Sequence, residues 1–143
     1  MFIDIKNQTD NPVVRNIFSL SAFDKSEAGT EKRIKPFRED PDYHLYGWVE
    51  NDKILGTCGC QVLPDKILIR GIAVDENEHK KGVGNAMISA LREKYNMNIE
   101  AETDDGAVGF YRKCGFETTP FDKFYENYGT VRRYTCVLYA KNQ

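Results

Sequence analysis

The hydrophobic and polar positions of the chain change period several times, and each change predicts an element. Phe2–Lys6 alternates apolar and polar residues, as a short strand does. Asp10-Asn11-Pro12 is a helix-start signal with proline near the first turn, and Val13, Val14, Ile17, Phe18 and Ser21 follow at helical spacing. Residues 24–38 are polar and charged, interrupted by Gly29-Thr30, with Pro36 near the end; they predict a second helix on the surface. Residues 44–50 and 53–63 read as strands joined by the two-residue turn Asn51-Asp52. Pro64-Asp65 makes the next turn, and 66–74 alternates as a third strand of the same meander.

Beyond a polar loop at 75–81, Val83, Ala86, Met87, Ala90 and Leu91 line one face of a helix. Met97–Ala101 is the strand after it, and a strand–helix–strand unit of this length favours a right-handed parallel crossover. Thr103-Asp104-Asp105 opens another helix with a capping, acidic first turn. Ala107, Phe110, Tyr111 and Cys114 continue that helix, and Gly115 stands where a left-handed residue would end it. Residues 117–130 read as a loop rich in aromatic side chains, and 131–140 as a closing strand. The order is β-α-α-β-β-β-α-β-α-β: an α/β (α+β) single domain over residues 1–143, with a mixed central sheet and helices on both faces.

Composition narrows the partners. The chain has 143 residues, 41% hydrophobic and 29% charged, as in a globular domain with one continuous core. A net charge of −2 gives no global attraction to nucleic acid or to an anionic membrane, so neither is expected as a partner. The N-terminus shows no signal-peptide pattern, and no apolar run is long enough to span a bilayer, so a cytoplasmic location is expected. Cys58 and Cys60 form C-x-C without the repeated pairs of a zinc site. Cys58 and Cys60 therefore read as small buried hydrophobes rather than as a metal or redox pair, and no metal is expected.

The segment with the most chemistry is His79-Lys80-Lys81-Gly82-Val83-Gly84-Asn85, which leads from a strand into a helix. The first amides of a helix lack internal partners and carry the positive end of the macrodipole. Glycines at 82 and 84 admit an anion close to the backbone, and Lys80 and Lys81 add charge. No Walker G-x4-G-K-[ST] is present, and the third glycine of a dinucleotide-binding turn is replaced by Met87.

This turn, after the strand end Gly71-Ile72-Ala73-Val74, resembles the coenzyme A motif [QR]-x-x-G-x-[GA] of the GNAT acetyltransferases. The run Asp104…Ala107…Phe110-Tyr111…Gly115-Phe116 is similar to that family's later motif, N-x-x-A-x-x-[FLI]-Y-x-x-x-G-F. Two positions depart from it: His79 stands for the usual Gln or Arg, and Asp104 for the usual Asn. A neutral histidine donates one ring hydrogen bond where arginine brings a fixed charge, and an ionised Asp104 caps a helix without donating.

The resemblance implies an N-acetyltransferase with acetyl-CoA as cosubstrate. It implies a sheet that parts between the strands at 66–74 and 97–102, with the pantetheine arm in the gap. The implied cofactor contacts are Ile72, Ala73, Val74, His79, Lys80, Lys81, Gly82, Val83, Gly84, Asn85, Asp104, Ala107 and Tyr111. Tyr111, at the family's tyrosine position, is the implied general acid for the coenzyme A thiolate. An amine nucleophile must lose a proton; Glu50, Glu100, Glu102 and His44 are the candidate bases, with Glu102, at a strand end beside the site, ahead of the others. The acceptor stays open between a small-molecule amine and a peptide, and the assembly between monomer and homodimer. A non-catalytic acyl-CoA-binding protein and a protein-interaction module are the competing readings. The aromatic residues of 117–130 are candidates for an acceptor wall, a core layer or a dimer contact.

Overall fold

The computed structural model describes residues 1–141. Among them, seven strands form one sheet: β1 (Phe2–Asp4), β2 (Tyr43–Glu50), β3 (Lys53–Val62), β4 (Lys66–Val74), β5 (Asn98–Thr103), β6 (Glu117–Tyr125) and β7 (Gly129–Leu138). The spatial order is β1-β2-β3-β4-β5-β7-β6. Only β4 and β5 pair in parallel; the other neighbours are antiparallel.

Among the described residues four α-helices cover the two faces: α1 (Pro12–Ser19), α2 (Glu27–Glu39), α3 (Val83–Tyr95) and α4 (Val108–Lys113). Local chemistry sets their starts. Asn11 Oδ1 accepts from the Val13 amide with Pro12 inside the first turn, and Ser26 Oγ accepts from the Gly29 amide. α2 turns inward the residues Thr30, Ile34 and Phe37, spaced by one and two turns, and Arg15 clamps its outer face through Glu27 and Glu31.

α1 and α2 lie on one face over β2, β3 and β4, around Phe18, Ile34, Phe37 and Leu45. α3 and α4 lie on the other, over the larger core that contains Ile67, Met87, Leu91, Ile99 and Tyr111. Cys58, Cys60 and Cys136 are buried in that larger core, as small apolar residues are.

The predicted mixed sheet and its flanking helices are therefore present, with one strand more than the sequence pattern gave. Residues 117–125 are not a loop: they pair along their whole length with β7, from Glu117↔Val137 to Tyr125↔Gly129. β6 is an edge strand exposed on both faces, so its sequence lacks the alternation that marks a half-buried strand. Pro120 is tolerated because an edge strand has one side without a ladder to satisfy.

Candidate active site

The sheet opens where its two parallel strands meet. β4 and β5 are paired only at Lys66↔Asn98, Ile67↔Ile99 and Leu68↔Glu100; beyond Leu68 they part. β4 stays on β3 as far as Val74, and β5 stays on β7 as far as Thr103, so the gap is held open from both sides. The register between β3 and β4 shifts at Gly59/Cys60, which leaves Arg70 as the extra residue of a bulge between Ile69 and Gly71.

The ladder fixes which backbone groups face the gap. Asp75 N donates to Leu55 O at 2.8 Å. By antiparallel alternation, Gly71 and Ala73 point their amides and carbonyls at β3, while Ile72 and Val74 turn theirs toward β5, where no strand pairs with them. Two of the three expected strand residues thus present backbone to the gap. Ala73 directs its backbone to β3 instead.

The anion turn sits at the mouth of this gap. Gly82 caps α3 in the left-handed region at φ 80°, with no side-chain cap. A Cβ there would meet nothing within 4 Å, so conformation rather than space requires glycine. The first backbone bond of the helix runs from Ala86 N to Gly82 O, and the amides of Val83, Gly84 and Asn85 precede it at the positive end of the helix. Gly84 has a second reason to lack a side chain: a Cβ would stand 2.6 Å from the Phe110 ring, where α3 packs on α4. Lys81 is engaged by Glu78 at 2.9 Å, and Lys80 takes a left-handed φ of 67°.

His79 turns back from the turn onto the strand. Its Nε2 lies 3.1 Å from the Val74 carbonyl and donates to it, which places the proton on Nε2. The residue that departs from the family pattern therefore caps the last gap-facing carbonyl of β4.

Tyr111 lies under the gap on the α3–α4 face. Its ring packs edge-on against Phe110 and Phe116, and it neighbours Cys58 of β3 and Cys136 of β7, the strands that flank the opened pair. Burial pushes its phenol above the ordinary value, so the hydroxyl keeps its proton at neutral pH. Asp104 Oδ1 accepts from the amides of Gly106 and Ala107 and so fixes the entry of α4, the helix that carries Tyr111. Asp104 is not the helix cap that the sequence suggested: α4 starts at Val108, its cap position is Ala107 with no side-chain bond, and Asp104 instead closes the turn just before it.

The four candidate bases separate. Glu102 and Glu100 point to the α1–α2 face of β5 and line a groove of about 500 Å³ with Leu68, Arg70, Lys123 and Arg133. Glu102 Oε1 is contacted at 3.4 Å by both Lys123 Nζ and Arg133 Nε, and Glu100 pairs with Lys66. His44 lies elsewhere, on β2 beside Tyr46 and Tyr95 on the α3 face, where burial and the Lys6 charge hold it below its ordinary value. Glu50 ends β2 at the turn to β3, outside the groove. The pattern of the sequence did not single out Arg70, Lys123 or Arg133. A charged residue inside the apolar run Ile67–Val74 was the one signal for Arg70.

A sheet parted at its parallel pair, with an uncapped helix N-terminus at the mouth, is a geometry that can take an extended, anionic ligand in strand-like pairing. The family model described as acetyltransferase (GNAT) family matches residues 12–116, and the chain belongs to that family. It is 24% identical over 103 residues, 71% of this chain and 85% of the relative, to an uncharacterized N-acetyltransferase in the lysA 3′ region of Bacillus methanolicus. A GNAT-family protein of known structure from Desulfovibrio desulfuricans superposes with a TM-score of 0.78 at 18% identity, covering 97% of this chain and 98% of that one. An aminoglycoside 6′-N-acetyltransferase solved in complex with coenzyme A gives a TM-score of 0.78 at 12% identity, covering 97% and 96%. Among the described residues no helix is long and apolar enough to cross a membrane.

Proposed function

We propose that the protein transfers an acetyl group from acetyl-CoA to a primary amine by direct attack within a ternary complex. The observation that carries this reading is the open edge of β4 at Ile72 and Val74, next to the free first-turn amides of α3. The amides of Val83, Gly84 and Asn85 hold the pyrophosphate, with Lys80 nearby and Lys81 beside it in an ion pair with Glu78. The backbone groups of Ile72 and Val74 pair with the pantetheine amides as an added strand would. His79, now on the Val74 carbonyl, yields that acceptor to the arriving ligand.

In the chemical step the amine nitrogen bonds to the thioester carbonyl carbon and the carbon–sulfur bond breaks. An N–H on the gap edge of β4 stabilises the oxyanion. Tyr111 supplies a proton to the leaving sulfur; a phenol held protonated by burial is in the correct state to do so. Glu102 takes the proton released by the amine through Oε2, since both of its cationic partners converge on Oε1. Coenzyme A in the structural relative accords with this cosubstrate.

Calorimetric titration of acetyl-CoA into the protein tests the binding half. Binding that weakens at least tenfold in Gly82→Val with unchanged circular dichroism supports the cradle; equal affinity in the variant contradicts it.

A further inference from the structure

The groove beside Glu102 is lined by more cations than carboxylates. Its lining includes the cations Arg70, Lys123 and Arg133 against the carboxylates Glu100 and Glu102. Glu100 is matched by Lys66 outside that lining. Glu102 is shared by Lys123 and Arg133, so one of these two charges is in excess.

Arg70 is the second excess charge. Its Nε and Nη2 both donate to Gln61 Oε1, at 3.2 and 2.7 Å, and among the described residues it makes no ion pair. A neutral amide thus holds a guanidinium in place without cancelling its charge. The bulge sets that side chain at the point where β4 leaves β5.

The connection between α1 and α2 touches both β4 and the β6–β7 turn. Ser21, just past α1, packs on Gly71 of β4, where an added Cβ would lie 2.9 Å from its hydroxyl. Two residues on, Phe23 meets Tyr128 of the β6–β7 turn edge-on, with ring centroids 6.4 Å apart. The connection between α1 and α2 therefore reaches from β4 to the far hairpin, across the C-terminal end of the gap. Both rings are largely solvent-exposed, 90% for Phe23 and 72% for Tyr128, and neither lines the groove itself.

We propose that the acceptor is a small amine that also carries an anionic group, a carboxylate or a phosphate, of which an amino acid is the simplest form. The amine meets Glu102 Oε2, and the anionic group is held by Arg70 together with the excess cation of the Lys123–Arg133 pair. Guanidinium groups suit either anion because their planar donors match its oxygens two at a time. A polyamine or an aminoglycoside, cationic throughout, meets repulsion at the same place. This inference rests on the transfer reading given above and deepens it.

Thiol release from acetyl-CoA, followed with matched acceptors, tests it. The pairs are a set of amino acids, each against the amine left when its carboxylate is removed, and aminoethyl phosphate against ethylamine. The expected result is a kcat/KM at least tenfold higher for an acid-bearing member, with Arg70→Gln erasing the preference and Arg70→Lys retaining part of it. KM for acetyl-CoA stays constant in both variants. Preference for the plain amine in every pair, or a preference unmoved by Arg70→Gln, overturns the inference and leaves acetyl transfer standing. Bound acetyl-CoA with no thiol release from any amine overturns the transfer reading, and the inference with it. The relative rates of the carboxylate and phosphate acceptors decide between the two anions.

Discussion

Replacing Tyr111 with phenylalanine separates chemistry from packing at the centre of the site. The ring is 6% exposed and wedged between Phe110 and Phe116, and phenylalanine preserves both contacts. Loss of the hydroxyl is then expected to change stability by about 1 kcal/mol or less. The catalytic cost is larger. A thiolate leaving group, with an ordinary thiol pKa of about 8.5, departs more readily when a phenol donates to it. General-acid assistance is worth roughly 10²- to 10⁴-fold, or about 2.7–5.5 kcal/mol at 1.36 kcal/mol per decade. Since burial raises the phenol above its ordinary value of 10.0, the acid form persists throughout the neutral range, and the deficit of the variant is expected to be flat with pH there. Steady-state thiol release should show kcat reduced at least a hundredfold, with KM for acetyl-CoA within about twofold and the melting temperature unchanged. An equal kcat would refute the role of Tyr111 as acid. A fall in melting temperature that matched the loss of activity would reassign Tyr111 to packing alone.

Three further expectations follow from the same geometry. Gly82→Ala places a Cβ in open space at φ 80°, so its cost is backbone strain of about 1–2 kcal/mol, readable as a lower urea midpoint. Gly84→Val drives its side chain into the Phe110 ring and should destabilise by roughly 1–3 kcal/mol, more than an exposed valine elsewhere in the first turn. Alkaline pH should destabilise the fold through its buried thiols. Burial raises Cys60 to about 12, so its contribution is fully present below the unfolded value of about 8.5 and is lost as pH rises toward 12. That amounts to roughly 2 kcal/mol at pH 10, and a denaturation series in which Cys60→Ala shows no shallower decline above pH 9 would contradict it.

Most of the scaffold was legible because its residues answer to one environment. Val83, Met87 and Leu91 lie on a helix buried along one face, and 66–74 is a strand whose alternation survives burial, so period alone identified both. Asn51 and Asp52 adopt positive φ at the tight turn that their identity predicted. β6 was illegible for the opposite reason. Exposed on both faces and interrupted by Pro120, it owes its form to the β7 ladder rather than to its own pattern. Thr118, Thr119, Phe121 and the turn before Gly129, at φ 77°, were the available hints.

At the site, the two motifs located the end of β4 and the start of α3, because each is set by local sequence. The pairing that opens the gap, the bulge at Arg70 and the contact of Phe23 with Tyr128 are long-range features, and spacing along the chain does not encode them. Gly84 looked like a residue chosen for an anion; its contact with Phe110 shows that helix packing makes the same demand.

The central claim, that this open sheet transfers acetyl groups to amines, is tested most directly by one incubation. The protein is mixed with acetyl-CoA and a broad amine panel, with free thiol followed by colour and the amine products by mass spectrometry. Acetylated amine appearing in step with thiol, and slowed at least a hundredfold in Tyr111→Phe, is the predicted result. Acetyl-CoA that binds yet gives neither thiol nor acetylated amine with any acceptor would contradict the account.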